Sequence, residues 1–186
     1  MHTLQQTLAE TTRSLHQRIE NNPFMHAFLR KEPMEQPYRW LLNKLYPFTV
    51  GAETKLSGLI DEREGFDIPK RLRAHLLHND LVELGITAES SDSSLFDTID
   101  TLPKAIGLLY VMEGSRKGGA FLSSHLLKSQ LPLPMSYLIG YGETTDTRWE
   151  EFCTLLQRYA NTPLQEEIVS GAISAFEILE RIFHDQ

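Results

Sequence analysis

The stretch LLYVMEGSRKGGAF, from Leu108 to Phe121, decides the fold. Its aliphatic and aromatic spacing is typical of a buried helix, yet it contains three glycines within six residues. Each glycine inside a helix costs about 0.5–1 kcal/mol relative to alanine, because the glycine backbone loses more entropy on ordering. Three of them cost about 2–3 kcal/mol by the same principle, so a feature that offsets this cost is expected here.

The glycines of this helix lie close together around its axis. At about 100° per residue, Gly114 and Gly118 lie within about 20° of Gly107, with Ser115 and Gly119 beside them. A strip without side chains lets the backbone approach either a neighbouring helix or a large flat ligand. The run GSRKGG also predicts a kink, which favours the flat ligand, although the helix-packing interpretation stays open.

Apolar periodicity on both sides of this stretch predicts further helices and no strand. They are a first helix ending near Glu20, a second from Pro23, a third after Pro37 with a kink at Pro47, a fourth from Pro69 to Leu84 closed by Gly85, the glycine helix from Pro103 to Lys128, and two more over 148–159 and 163–183. The predicted fold is all-α, a multi-helix bundle in one domain over residues 1–186, with ligand sites between facing helices.

Composition excludes several classes of function. The net charge of −7 argues against a nucleic-acid partner, since affinity for phosphate chains comes mainly from basic surfaces. No apolar stretch is long enough to cross a bilayer, and the amphipathic N-terminus lacks the apolar centre of a secretory signal, so the cytoplasm is the expected location. The single cysteine, Cys153, excludes an internal disulfide and a multi-cysteine metal site. A monomer is the expected oligomeric state.

A second set of residues, in TTRSLHQRIE, is typical of a metal-binding helix face. Thr12, His16 and Glu20 are spaced at i, i+4 and i+8, so they share one face of the first helix. A neutral imidazole can bind a transition metal through one ring nitrogen while a carboxylate orients the other. Taken alone, this pattern more often marks a structural histidine. His75 and His78 lack an evident third ligand and are interpreted as surface residues.

Together these segments resemble the heme oxygenase family in its short bacterial form. The blocks that carry the resemblance are TLAETTRSLHQRIE (7–20), HNDLVELG (78–85), AIGLLYVMEGSRKGGAFL (105–122) and EEIVSGAISAFEILERIF (166–183). The resemblance implies that heme, both cofactor and substrate, lies between the first helix and the kinked glycine helix. It also implies cleavage of heme to biliverdin, CO and Fe²⁺ with O₂ and electrons.

The resemblance assigns a role to each candidate residue. His16 is the expected proximal ligand of the heme iron, and Glu20 is the partner of its imidazole. Thr12 and Tyr110 are expected to help bind heme, Tyr110 at the propionate edge. The residues expected on the distal side of heme are Gly114, Ser115, Gly118 and Gly119.

Some positions depart from parts of the family. Ser115 stands where mammalian-type members have an aspartate that organises water, so another group must hold these waters, and Arg73 is the candidate. The basic residues that bind heme propionates elsewhere are not clearly matched, with Ala9 and His125 at two of those positions. Cleavage at the α-meso carbon is the expected outcome.

Two other functions stay open at this point. A non-catalytic heme-binding or trafficking protein would keep His16 without turnover. A heme-free enzyme on the same scaffold, as in thiaminase-like proteins, would need an activated cysteine or paired carboxylates, and Cys153 lies on the apolar side of its helix, where a thiolate is disfavoured. For the oxygenase, the lack of a flavin or nicotinamide fingerprint predicts a separate electron donor, a ferredoxin or an NAD(P)H reductase.

Overall fold

The computed structural model describes residues 3–28, 35–128 and 131–184. These residues form α-helices and short 3₁₀ turns without a strand, which confirms the all-α prediction. The α-helices of these ranges are α1 (Leu4–Glu20), α2 (Pro23–Phe28), α3 (Glu35–Leu59), α4 (Ala74–Glu83), α5 (Leu102–Lys128), α6 (Thr145–Leu156) and α7 (Gln165–His184).

Local capping explains where the first helices begin. At the start of α1, the Thr3 hydroxyl accepts from the Gln6 N–H at 3.2 Å, and the Gln6 side chain accepts from the Thr3 N–H at 2.8 Å. The Asn22 side chain accepts from the Phe24 N–H at 2.9 Å, so α2 begins at Pro23, as predicted. The predicted end of the first helix at Glu20 is also confirmed.

The predicted start of the fourth helix at Pro69 is wrong. Residues Ile68–Arg71 form a 3₁₀ turn, and α4 begins only at Ala74. The cause is a contact from a distant part of the chain, because the buried carboxylate of Glu53 on α3 accepts from the backbone N–H groups of Arg73 and Ala74. The predicted end is confirmed, since Gly85 follows α4 with a positive φ of 67°.

Helices α5 and α7 pack backbone against backbone. A Cβ on Gly107 would lie 2.1 Å from the Ile168 carbonyl oxygen, and one on Gly171 would lie 2.2 Å from the Lys104 carbonyl oxygen. Of the two interpretations of the glycine strip, helix packing is therefore the correct one for Gly107. Within the described ranges, no helix is long and apolar enough to cross a membrane.

Candidate active site

His16 presents its imidazole on the surface of α1, with 58% of the side chain exposed. Its Nδ1 lies 3.5 Å from Glu20 Oε2, one helical turn further on. Its ring also packs edge-on against Phe176 of α7, with ring centroids 5.9 Å apart. The carboxylate and the phenyl ring orient the imidazole, and Nε2 is the nitrogen left to bind a ligand.

Thr12 and Tyr110 connect α1 to α5. The Thr12 hydroxyl is buried and donates to the Leu8 carbonyl at 2.8 Å. The Tyr110 phenol of α5 lies close enough for the Thr12 hydroxyl to oppose part of the rise in its pKa. Burial is the main cause that raises the pKa of Tyr110, so this phenol stays neutral at physiological pH. The sequence alone placed these residues on separate helices, and the structure brings them together.

The glycines of α5 divide into packed and open positions. A Cβ on Gly119 would lie 2.9 Å from the Leu138 carbonyl oxygen, so this glycine is needed for close packing. Among the described residues, a Cβ on Gly114 would meet only the Trp149 ring, at 3.9 Å, and one on Gly118 would meet nothing within 4 Å. We call the open surface at Gly114 and Gly118 the glycine face. Beside it, the exposed Ser115 donates its hydroxyl hydrogen to the Met112 carbonyl at 2.7 Å.

A charged network occupies the opposite side of the same helix. The Glu113 side chain is 1% exposed, and its carboxylate lies 2.8 Å from Arg71 Nη1 and 3.2 Å from Arg116 Nη1. It also accepts from the Tyr141 hydroxyl at 2.9 Å. We call Arg71, Glu113, Arg116 and Tyr141 the charged network. Sequence reasoning missed it, although a Glu–Arg pair at i, i+3 within an apolar helix was the available signal.

Arg73, predicted to hold water near the distal glycines, lies beside the charged network. Its guanidinium is 5.1 Å from the centre of the Tyr141 ring, and it donates to the Ser136 carbonyl at 3.3 Å. Burial, followed by the nearby Arg116, lowers its pKa. Arg116, which contacts the same ring, is about 160° around the helix axis from Gly118. The water-holding role of Arg73 stays a prediction.

Both histidines of α4, His75 and His78, are exposed, as predicted. His78 borders an open, largely apolar groove of about 640 Å³, with its ring 5.8 Å from the Tyr46 ring. We call this surface the His78 groove; it is also bordered by Val82, Ile86 and Ala88. In the part of the chain that the structure describes, no cluster of three or more His, Cys, Asp or Glu side chains could hold a metal ion.

Cys153 does not have the environment of a reactive thiol. Burial raises the pKa of its thiol to about 11, and the Lys117 ammonium only partly opposes this shift. The thiolate is therefore a minor species at neutral pH. Cys153 therefore does not supply the activated cysteine that a heme-free enzyme on this scaffold would need.

The described structure is thus an all-α protein in which α1 presents an exposed imidazole beside a carboxylate and α5 presents a bare face that leaves room for a flat ligand. The chain belongs to the heme oxygenase family, whose profile matches residues 2–92 and 95–185. It is therefore a heme-degrading oxidoreductase, and heme is the ligand and substrate. The exposed His16 and the open space at Gly118 fit this ligand.

The chain is similar to named heme oxygenases in both sequence and fold. A heme oxygenase of Xanthomonas campestris pv. campestris (strain 8004) is 27% identical over 143 residues, which cover 75% of this chain and 84% of that protein. The structure of heme oxygenase from Leptospira interrogans matches with a TM-score of 0.80 at 18% identity over 98% of both chains. The NO- and CO-bound heme oxygenase from Neisseria meningitidis matches with a TM-score of 0.76 at 22% identity, over 98% of this chain and 93% of that chain.

Proposed function

We propose that this protein cleaves heme to biliverdin, CO and Fe²⁺, using O₂ and electrons from a separate donor, with His16 binding the heme iron. The observation that carries the proposal is the exposed His16 imidazole beside Glu20, on the helix that Thr12 and Tyr110 join to α5. Heme as substrate supplies the iron at which O₂ is reduced. The protein's own residues position that substrate and control which groups surround it.

On α1, the residues around His16 hold one imidazole orientation. Glu20 lies 3.5 Å from Nδ1, so Nε2 is the nitrogen that remains available to bind iron. The Phe176 ring packs against the imidazole from α7 and restricts its rotation. A histidine held in this way loses little conformational entropy on binding the substrate.

On α5, Gly114 and Gly118 contribute backbone without side chains. Space at Gly118 admits O₂ beside the macrocycle, and no side chain with a negative charge projects from either position. The Ser115 hydroxyl already donates to the Met112 carbonyl, so its oxygen is left as an acceptor for water near this face. Tyr110, neutral and joined to Thr12, is suited to bind an uncharged or anionic edge of the substrate.

The reaction also needs an electron donor, and it takes place in a particular compartment and at a particular carbon of heme. Because the sequence has no flavin or nicotinamide fingerprint, electrons come from a ferredoxin or an NAD(P)H reductase. The protein acts in the cytoplasm as a monomer of one domain over residues 1–186, and it cleaves the α-meso position.

The test is turnover of bound hemin. One equivalent of hemin is added to the protein, the Soret and visible spectra are recorded, and ascorbate is added in air with catalase present. We expect loss of the Soret band and growth of the broad red absorption of biliverdin. His16→Ala is expected to abolish this product, with partial rescue by added imidazole, whereas the matched variant His78→Ala keeps it.

The other outcomes are equally informative. A Soret band that survives reductant, without bile pigment, would support a non-catalytic heme carrier. Equal turnover by His16→Ala and the wild type would exclude His16 as the iron ligand.

A further inference from the structure

The glycine face is bounded at one end by a single aromatic side chain. Within the described residues, only Trp149 of α6 comes within 4 Å of a Cβ built on Gly114, through Cη2 and Cζ3 at 3.9 Å each. The same construction on Gly118, four residues and about 6 Å further along the helix, meets none of the described residues within 4 Å. A flat ligand on this face therefore meets a side chain at Gly114 and open space at Gly118.

The Trp149 ring is held in place from several sides. Its centroid is 5.9 Å from the Tyr110 ring and 5.7 Å from the Phe152 ring. The Lys117 ammonium lies 6.0 Å from the Trp149 ring centre and 3.1 Å from the Asp146 carboxylate, which belongs to the same helix as Trp149. A large aromatic ring fixed by such contacts forms a rigid boundary.

The far end of the glycine face differs. Phe121, which follows Gly118 on the same side of α5, is 66% exposed. It is a large apolar side chain with room to move aside or to cover a ligand. Movement of a macrocycle along the glycine face is thus blocked toward Trp149 and permitted toward Phe121.

We propose that Trp149 is a specificity-determining residue, whose ring edge stops the macrocycle at Gly114 and so selects the meso carbon that is cleaved. This inference rests on the proposed function. The four meso carbons of heme differ in their position around the ring, so a shift or in-plane rotation presents a different one to O₂. A boundary at one end of the glycine face fixes the position of the macrocycle and therefore determines which meso carbon is cleaved.

The test compares Trp149→Ala with the wild type by two readouts. The first is the distribution of biliverdin isomers by chromatography after ascorbate-driven turnover. The second needs no turnover and is the pattern of heme-methyl proton resonances in the cyanide complex, which reports how many seatings are populated. Trp40→Ala is the matched control, because Trp40 packs against Phe24 and Phe183 instead.

We expect one dominant isomer and one set of methyl resonances from the wild type and from Trp40→Ala. Trp149→Ala should give a second isomer at about a tenth of the product or more, with a second methyl set, since loss of a contact of this kind changes discrimination about tenfold. Unchanged isomers and methyl resonances in a hemin-bound Trp149→Ala protein would overturn the inference. Absence of biliverdin from the wild type would instead reject the proposed function.

Trp149→Leu covers the case in which the alanine variant does not fold. Leucine keeps apolar packing against Tyr110 and Phe152 but ends short of the indole edge that reaches Gly114. The same second isomer, in a smaller share, is expected. A hemin-bound leucine variant with the wild-type methyl pattern would count against Trp149 as the boundary.

Discussion

The two sides of α5 differ in almost every physical property, although they are formed by the same few turns. One side carries Glu113 and Arg116, which are buried and engaged in the charged network. The other side carries Gly114 and Gly118, where the backbone is left open. The comparison shows how a helix weakened by glycine keeps its position, since the contacts that fix it lie on the side away from the open surface.

The packed and the open glycines of α5 lack side chains for different reasons. Gly107 and Gly119 are required by close packing against α7 and against Leu138, so a larger residue at either position would clash. Gly114 and Gly118 have no such packing reason. We propose that they lack side chains because a flat substrate needs this space.

Removal of the Glu113 carboxylate should have the largest effect. Glu113→Ala leaves Arg71 and Arg116 as buried charges without their partner, which should lower the free energy of unfolding by about 3–5 kcal/mol. Urea unfolding followed by circular dichroism measures this. Glu113→Gln, which keeps the side-chain shape, should lose less, and a loss below about 1 kcal/mol in the alanine variant would contradict the role of the charged network.

The same substitution at two glycines should have opposite signs. Gly107→Ala places a Cβ 2.1 Å from the Ile168 carbonyl oxygen and should destabilise the protein by about 1–3 kcal/mol. Gly118→Ala meets open space in a helix and should stabilise the ligand-free protein by about 0.5–1 kcal/mol. Thermal unfolding of both variants checks this, and destabilisation of equal size at the two sites would remove the distinction between packed and open glycines.

Filling the glycine face should affect binding more than folding. Gly118→Leu is expected to weaken hemin binding about tenfold, or about 1.4 kcal/mol, while the unfolding midpoint stays close to that of Gly118→Ala. Hemin titration by absorbance gives the affinity. Full affinity in the leucine variant would mean that the substrate does not lie against Gly118.

The exposed ion pair beside the glycine face should matter least. Lys117 and Asp146 lie 3.1 Å apart, but their side chains are 45% and 79% exposed, so water and salt screen the interaction. Lys117→Ala should change the free energy of unfolding by less than about 0.5 kcal/mol in urea unfolding. If Lys117→Ala lowered the free energy of unfolding as much as Glu113→Ala, the difference in exposure would not explain the different strengths of the exposed and the buried ion pairs.

Features set by neighbouring residues were predictable from the sequence. The end of α1 at Glu20, the start of α2 at Pro23 and the end of α4 just before Gly85 all follow from local periodicity, capping and turn preference. The candidate residues on α1 and α5 came from helical spacing together with the resemblance to heme oxygenases. Such signals act within a few residues, so they do not depend on how the helices pack.

Features set by distant contacts were not predictable in the same way. The start of α4 depends on the Glu53 carboxylate, about twenty residues earlier in the chain. The charged network joins Glu113 to Arg71, and the division of the glycines depends on where α6 and α7 lie. Helical spacing put Gly107 and Gly114 in one strip, but only the position of α7 separates them.

The most direct test of the account is where hemin binds. Amide spectra of the ¹⁵N-labelled protein are compared with one equivalent of hemin and with one equivalent of diamagnetic zinc protoporphyrin, because the paramagnetic iron broadens nearby amide signals. We predict that hemin broadens the amides of His16 and Gly118 and leaves those of Ile86 and Ala88 in the His78 groove sharp. Broadening in the His78 groove with sharp signals from His16 and Gly118 would contradict the central claim.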